Sequence, residues 1–208
     1  MSYTYKQIKI GSISTSETEI RDILKAWLAV SAAFGIVLSP SVFSWQFYSK
    51  FILAALTVGI GFLLHEFGHK IVAQKYGCFA EFRSFDNMLL LAIAMSFFGF
   101  VFAAPGAVMI SGRIDKRKNG MISAAGPAVN IVLALLFLGL VFSHPQNVFK
   151  EVVLYGLIIN SWLALFNMIP FGFFDGSKIF RWNKIVYFVM AIFAGSLMLL
   201  QNFIPLPK

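Results

Sequence analysis

Residues 88–110 read MLLLAIAMSFFGFVFAAPGAVMI, and the path of this stretch decides how the rest of the chain is threaded. A membrane-crossing helix takes about 20 mostly apolar residues, so the stretch is long enough to cross. Yet Gly99, Pro105 and Gly106 interrupt it, and both residue types break helical continuity. Five other apolar runs lie roughly over 22–39, 51–76, 120–142, 152–170 and 184–204. The basic residues choose between two threadings. If all six runs cross, the 17 Lys and Arg divide almost evenly between the two sides. If 88–110 enters and leaves on one side, only Lys50, Lys150 and Lys208 lie opposite the N-terminal arm, and the others all lie with it. Lys and Arg accumulate in cytoplasmic loops, which favours the second threading with the N-terminus inside. The expected fold is an all-α polytopic membrane protein. It has five to six transmembrane helices and a re-entrant element or β-hairpin between the second and fourth runs. Residues 107–110 read as a short strand that can pair with 80–83; the alternative is an ordinary apolar loop.

Composition agrees. The 208 residues are 59% hydrophobic and 12% charged, against about 45–50% and about 25% for a soluble domain. A disordered chain, a compact soluble enzyme and a secreted disulfide scaffold are excluded, the last because Cys78 is the single cysteine. The net charge of +8 sits between apolar runs, so the expected partner is a lipid bilayer and not nucleic acid. Residues 1–21 are expected to form a cytoplasmic arm and 22–208 a membrane-embedded domain, with no signal peptide and no appended soluble domain. In the arm, Tyr3, Tyr5, Ile8 and Ile10 alternate with polar residues as in a strand. Ser16 and Glu19 have capping-box spacing before the first helix.

The chemistry concentrates in His65-Glu66-Phe67-Gly68-His69. On a helix, His65 and His69 share a face. Two imidazoles there can hold a zinc ion, and Glu66 can take a proton from water at the metal. The motif lies inside an apolar run, where each ionisable group costs roughly 2.5–3.5 kcal/mol. The alternative is a polar helix end reaching for the headgroups, with Lys70 as its anchor. A catalytic zinc needs a third protein ligand. Most acidic residues lie in loops beside basic ones, whereas Asp175 lies in the apolar stretch 167–176. In the five-span threading Asp175 and His69 share a membrane depth; in the six-span threading they lie at opposite faces. An ion pair of Asp175 with Lys178 or Arg181 is the competing role. Gly126 and Pro127 read as a helix start. Asn130 and Asn167 are amides at membrane depth, where hydrogen bonding between helices is the ordinary role. Asn160 and Gln201 read as packing contacts, and His144 and Cys78 as loop residues.

His65-Glu66-Phe67-Gly68-His69, Gly126-Pro127-Ala128-Val129-Asn130 and Asn167-x-x-Pro170-x-x-x-x-Asp175-Gly176 together resemble the three signatures of the site-2 protease family of intramembrane zinc metalloproteases. The resemblance spans residues 65–176 in family order. It implies one zinc ion held by His65, His69 and Asp175, with Glu66 as general base. Asn167 would bind substrate backbone or steady the oxyanion, with Asn130 supporting it near the site. The implied substrates are transmembrane segments of membrane proteins, cut in regulated intramembrane proteolysis, and the implied location is the plasma membrane of a prokaryote. Two rivals are a metal transporter, which needs further ligands along a path across the bilayer, and an inactive scaffold, which needs a missing catalytic group.

Overall fold

The computed structural model describes residues 7–11, 13–101, 105–143, 146–200 and 203–204. Tyr3, Tyr5, His144 and Gln201 lie outside them. The chain opens with an antiparallel pair, β1 (Gln7–Ile10) and β2 (Ile13–Ser16), and continues into α1 (Glu17–Leu38). Ser16 caps α1, its Oγ accepting from the Glu19 N–H at 3.2 Å. The Glu19 carboxylate does not return the cap, because a buried lysine and two further donors claim it.

The helix α2 (Trp45–Ala54), a wide π-helical turn over Ala55–Gly59 and α3 (Ile60–Lys75) form one continuous rod. The Trp27 indole of α1 donates to the Ala55 carbonyl at 3.0 Å, giving a partner to a carbonyl where the helical ladder widens. Gly77, at φ +74, ends α3. Its N–H donates to Gln74 O and the next N–H, of Cys78, donates to Ala73 O, the paired closure that a left-handed residue permits. The Cys78 side chain packs in the core with Ala73, Ala80 and Ile122.

This turn launches β3 (Phe79–Ser84), followed by α4 (Asp86–Ser96) and β4 (Gly106–Ser111). β3 and β4 are antiparallel, with Ala80 opposite Ile110, Phe82 opposite Val108 and Arg83 opposite Ala107, so the pairing expected from sequence is present. Ser84 faces Gly106, so the segment between them begins and ends at one place. With 11 residues, α4 rises only about 16 Å at 1.5 Å per residue.

The remaining helices are α5 (Lys116–Val141), α6 (Asn147–Asn167), α7 (Asp175–Trp182) and α8 (Lys184–Leu200). α5 is the centre of the bundle and packs against α3, α6, α7 and α8. It runs antiparallel to α3: Gly61 meets Asn130, His69 meets Ile122, and Tyr76 meets Met121. The end of α3 and the start of α5 therefore lie together. A Cβ on Gly68 would stand 3.0 Å from Ala125 O and Val129 Cγ2, so glycine permits this close helix contact.

One expectation is corrected. Gly126 and Pro127 do not start a helix; α5 runs through them. Asp115 already caps it, accepting from the Lys118 N–H at 2.7 Å, and a buried proline inside a helix is tolerated where neighbouring elements cover it. Asp175 opens α7.

Three helical stretches among the described residues are long and apolar enough to cross a membrane: Trp45–Lys75, Lys116–Val141 and Asn147–Asn167. α1 carries Glu17, Glu19, Arg21, Asp22 and Lys25 in its first half, and α8 is a shorter apolar helix of 17 residues. Leu136 on α5 and Ile185, Val189 and Ile192 on α8 are exposed, an outward apolar face compatible with a membrane protein.

Candidate metal centre

His65 and His69 project from one face of α3, and Asp175 meets them from the first turn of α7. All three are buried, and they form a group of side chains able to hold a metal ion. His65 Nε2 lies 3.1 Å from His69 Nε2. Asp175 Oδ2 lies 3.1 Å from His69 Nε2 and 3.4 Å from His65 Nε2. A tetrahedral zinc ion with bonds of about 2.0–2.1 Å sets its ligand atoms about 3.3 Å apart, so the triangle has the size that zinc requires. Two imidazoles and a carboxylate are also a donor set that zinc accepts.

The outer nitrogens fix the ring orientations. His65 Nδ1 donates to Asn130 Oδ1 at 2.6 Å and His69 Nδ1 donates to the Ile122 carbonyl at 2.8 Å. With both Nδ1 atoms protonated, both Nε2 lone pairs face the space between the rings. Asn130 is held in turn: its Nδ2 donates to Gly61 O at 3.1 Å and to Asn160 Oδ1 at 2.9 Å, and Asn160 Nδ2 donates to Gly156 O at 2.8 Å. Asn160 is thus more than the packing contact expected from sequence, because it steadies the amide bonded to His65. Gly126 keeps the space open, since a Cβ there would run into the Nε2 atoms of both histidines.

The Asp175 carboxylate faces two ways. Oδ2 faces the histidines while Oδ1 lies 3.5 Å from Lys178 Nζ. Gly176 lets α7 start there, because a Cβ on it would collide with the backbone of Met168. Other acidic residues are engaged elsewhere. Glu81 pairs with Arg83 at 2.5 Å and Asp86 with Lys25 at 2.7 Å.

Glu66 Oε2 accepts from the Val108 N–H of β4 at 3.0 Å. Asn167 lies at the end of α6, with Nδ2 donating to Leu163 O at 2.9 Å. Lys70, considered as a headgroup anchor, is instead 3% exposed and paired with Glu19 at 2.5 Å. A spacing in the sequence could have found it: Glu66, Lys70 and Gln74 recur every four residues on α3, one polar stripe along an apolar helix.

A helical bundle with a buried two-histidine, one-aspartate centre defines a metalloenzyme class, and comparison with known proteins narrows it. The chain is 37% identical over 183 residues to "Putative zinc metalloprotease MJ0611" of Methanocaldococcus jannaschii, covering 85% of this chain and 91% of that protein. It is 31% identical over 182 residues to "Zinc metalloprotease MJ0392" of the same organism, covering 87% of this chain and 45% of that longer protein. It is 29% identical over 171 residues to "Putative zinc metalloprotease Rip2" of Mycolicibacterium smegmatis, covering 72% and 65%. No family model and no solved structure matches. The chain belongs to this family of zinc metalloproteases.

Proposed function

We propose that the protein is an intramembrane zinc endopeptidase of the site-2 protease type, cutting membrane proteins within or beside their transmembrane segments in regulated intramembrane proteolysis. The observation that carries this reading is the convergence of His65, His69 and Asp175 inside a bundle with outward apolar faces. His65, His69 and Asp175 would hold zinc, which acts as a Lewis acid on the scissile carbonyl and the attacking water. Glu66 takes the proton of that water and delivers it to the leaving amine. Asn167 receives substrate backbone or the developing oxyanion. Asn130 acts from behind, through His65.

The strand pair suggests how substrate enters. β3 is occupied on its outer edge: Phe82 N–H donates to Glu19 Oε1 at 2.8 Å, and Ala80 O accepts from Gln74 Nε2 at 3.0 Å. β4 has no further strand partner among the described residues. Its Val108 N–H points away from β3 to Glu66. An unwound substrate segment can add to β4 as a third strand, which brings its backbone to the base. In this reading the segment between β3 and β4 re-enters the membrane rather than crossing it, the N-terminus is cytoplasmic, and α1 and α8 cross as well.

Purified protein incubated with a single-span transmembrane peptide, with and without a zinc chelator, tests the reading. Chelator-sensitive cleavage supports it. Zinc binding without cleavage favours a scaffold or a metal-handling protein.

A further inference from the structure

The polar stripe on α3 holds three strands in order. Glu66 engages β4 through Val108 N–H. Lys70, one turn on, engages β3 through Glu19, whose Oε1 accepts from Phe82 N–H. Gln74, a further turn on, engages β3 at Ala80 O and β2 at both the N–H and the carbonyl of Ser14. Phe82 and Val108 are directly opposite each other in the sheet. Two carboxylates therefore grip the sheet at a single register position: Glu66 from the β4 side and Glu19 from the β3 side.

The two grips differ in what they can release. Glu66 must leave Val108 to work as a base, and Val108 N–H must be free to receive a substrate strand. Glu19 has no such duty. It is 0% exposed, and its acceptors are taken by Lys70 at 2.5 Å, Thr15 Oγ1 at 2.7 Å and Phe82 N–H at 2.8 Å. When Glu66 lets go, the Glu19 anchor still holds the strand pair against α3.

We infer that Glu19 is a positioning residue for the proposed proteolysis: it holds β3, and through β3 the substrate-receiving strand β4, in fixed register with Glu66 and the metal ligands. The inference rests on the proposed function for its kinetic consequences, though the anchor itself can be measured without turnover. A buried ion pair can also be purely structural, and removing one partner leaves a costly unpaired charge. The test therefore removes both charges together. Glu19→Gln/Lys70→Met keeps an oxygen that can accept from Phe82 N–H; Glu19→Leu/Lys70→Met does not.

Deuterium exchange of residues 106–111 in the intact protein reads the anchor directly. Exchange in the leucine variant is expected to rise about fivefold or more over the glutamine variant, as for loss of one hydrogen bond of ordinary net strength. In the cleavage assay the leucine variant is expected to keep its zinc and its KM, to lose about 10- to 100-fold in kcat through misplacement, and to cut at neighbouring bonds as well. The glutamine variant restores the single cut. If the leucine variant does not fold, Thr15→Val removes one donor to Glu19 and no charge; it is expected to give the same extra cuts with a smaller fall in kcat. Equal exchange and equal cleavage patterns in the altered and wild-type proteins would overturn the inference. Failure of the wild type to cleave, with the exchange difference present, would count against the proposed activity and leave the anchor standing.

Discussion

Asn130 Oδ1 lies 2.6 Å from His65 Nδ1, and this contact turns the opposite nitrogen of the ring toward His69 and Asp175. Asn130→Ala removes the acceptor and frees the ring to turn. Zinc affinity is expected to fall about 10- to 100-fold, the usual effect of losing a partner that orients a metal-bound histidine. Asn130→Asp keeps an oxygen in place and should bind zinc more tightly than the alanine variant. Competition titration with a zinc-sensitive dye measures both, and equal affinity in wild type and Asn130→Ala would remove Asn130 from the site.

Gly126 makes the complementary case, since it acts by what it lacks. Gly126→Ala places a methyl group against both Nε2 atoms. The helix itself should be preserved, because alanine is the better helix former by about 1 kcal/mol. The expected outcome is native helical content by circular dichroism with zinc content well below one per chain. Full zinc occupancy in this variant would mean that the metal sits elsewhere.

Asp175 tests the third ligand. Asp175→Ala leaves two imidazoles, an incomplete set for a catalytic zinc. Purified Asp175→Ala should carry less zinc than wild type by elemental analysis. Asp175→Asn keeps the size but weakens the donor, and should fall between them. Unchanged zinc in both variants would assign the third ligand to another residue.

The threading has its own test. The end of α3 and the start of α5 lie together, with Lys118 Nζ 5.7 Å from the Tyr76 ring centroid. In the proposed topology Lys118 faces the cytoplasm and Lys150, at the other end of the bundle, faces out. Single cysteines at positions 118 and 150 in a Cys78→Ser background can be probed with a membrane-impermeant thiol reagent on intact cells. Labelling is expected at 150 and not at 118. The reverse pattern would sink the re-entrant threading.

What could be read from sequence follows from how local each signal is. The His65 and His69 pair needs one helical turn. The 80–83 and 107–110 pairing needs only two short β-prone segments and the charge asymmetry that brings their ends to one side. Asp175 was reachable because a lone carboxylate in an apolar stretch demands a partner. Other features depend on contacts between distant elements. Glu19 looked like half of a capping box, and its capture by Lys70, 51 residues away, leaves no local trace. Asn160 has the same identity whether it packs helices or supports Asn130. Gly126 and Pro127 mislead because both residue types usually mark helix ends, whereas here clearance beside His65 and His69 and burial against neighbours override that preference.

The central claim is that the metal site cuts peptide bonds at membrane depth. It is tested most directly by mass-spectrometric mapping of the bond cut in a single-span substrate reconstituted with the protein in lipid vesicles. Glu66→Gln, which should keep its zinc and lose at least about 100-fold in cleavage, serves as the control. The account predicts a cut within or at the edge of the transmembrane segment, abolished by chelator, restored by added zinc and absent in Glu66→Gln. Cleavage confined to soluble loops, or cleavage that survives both zinc removal and Glu66→Gln, would contradict it.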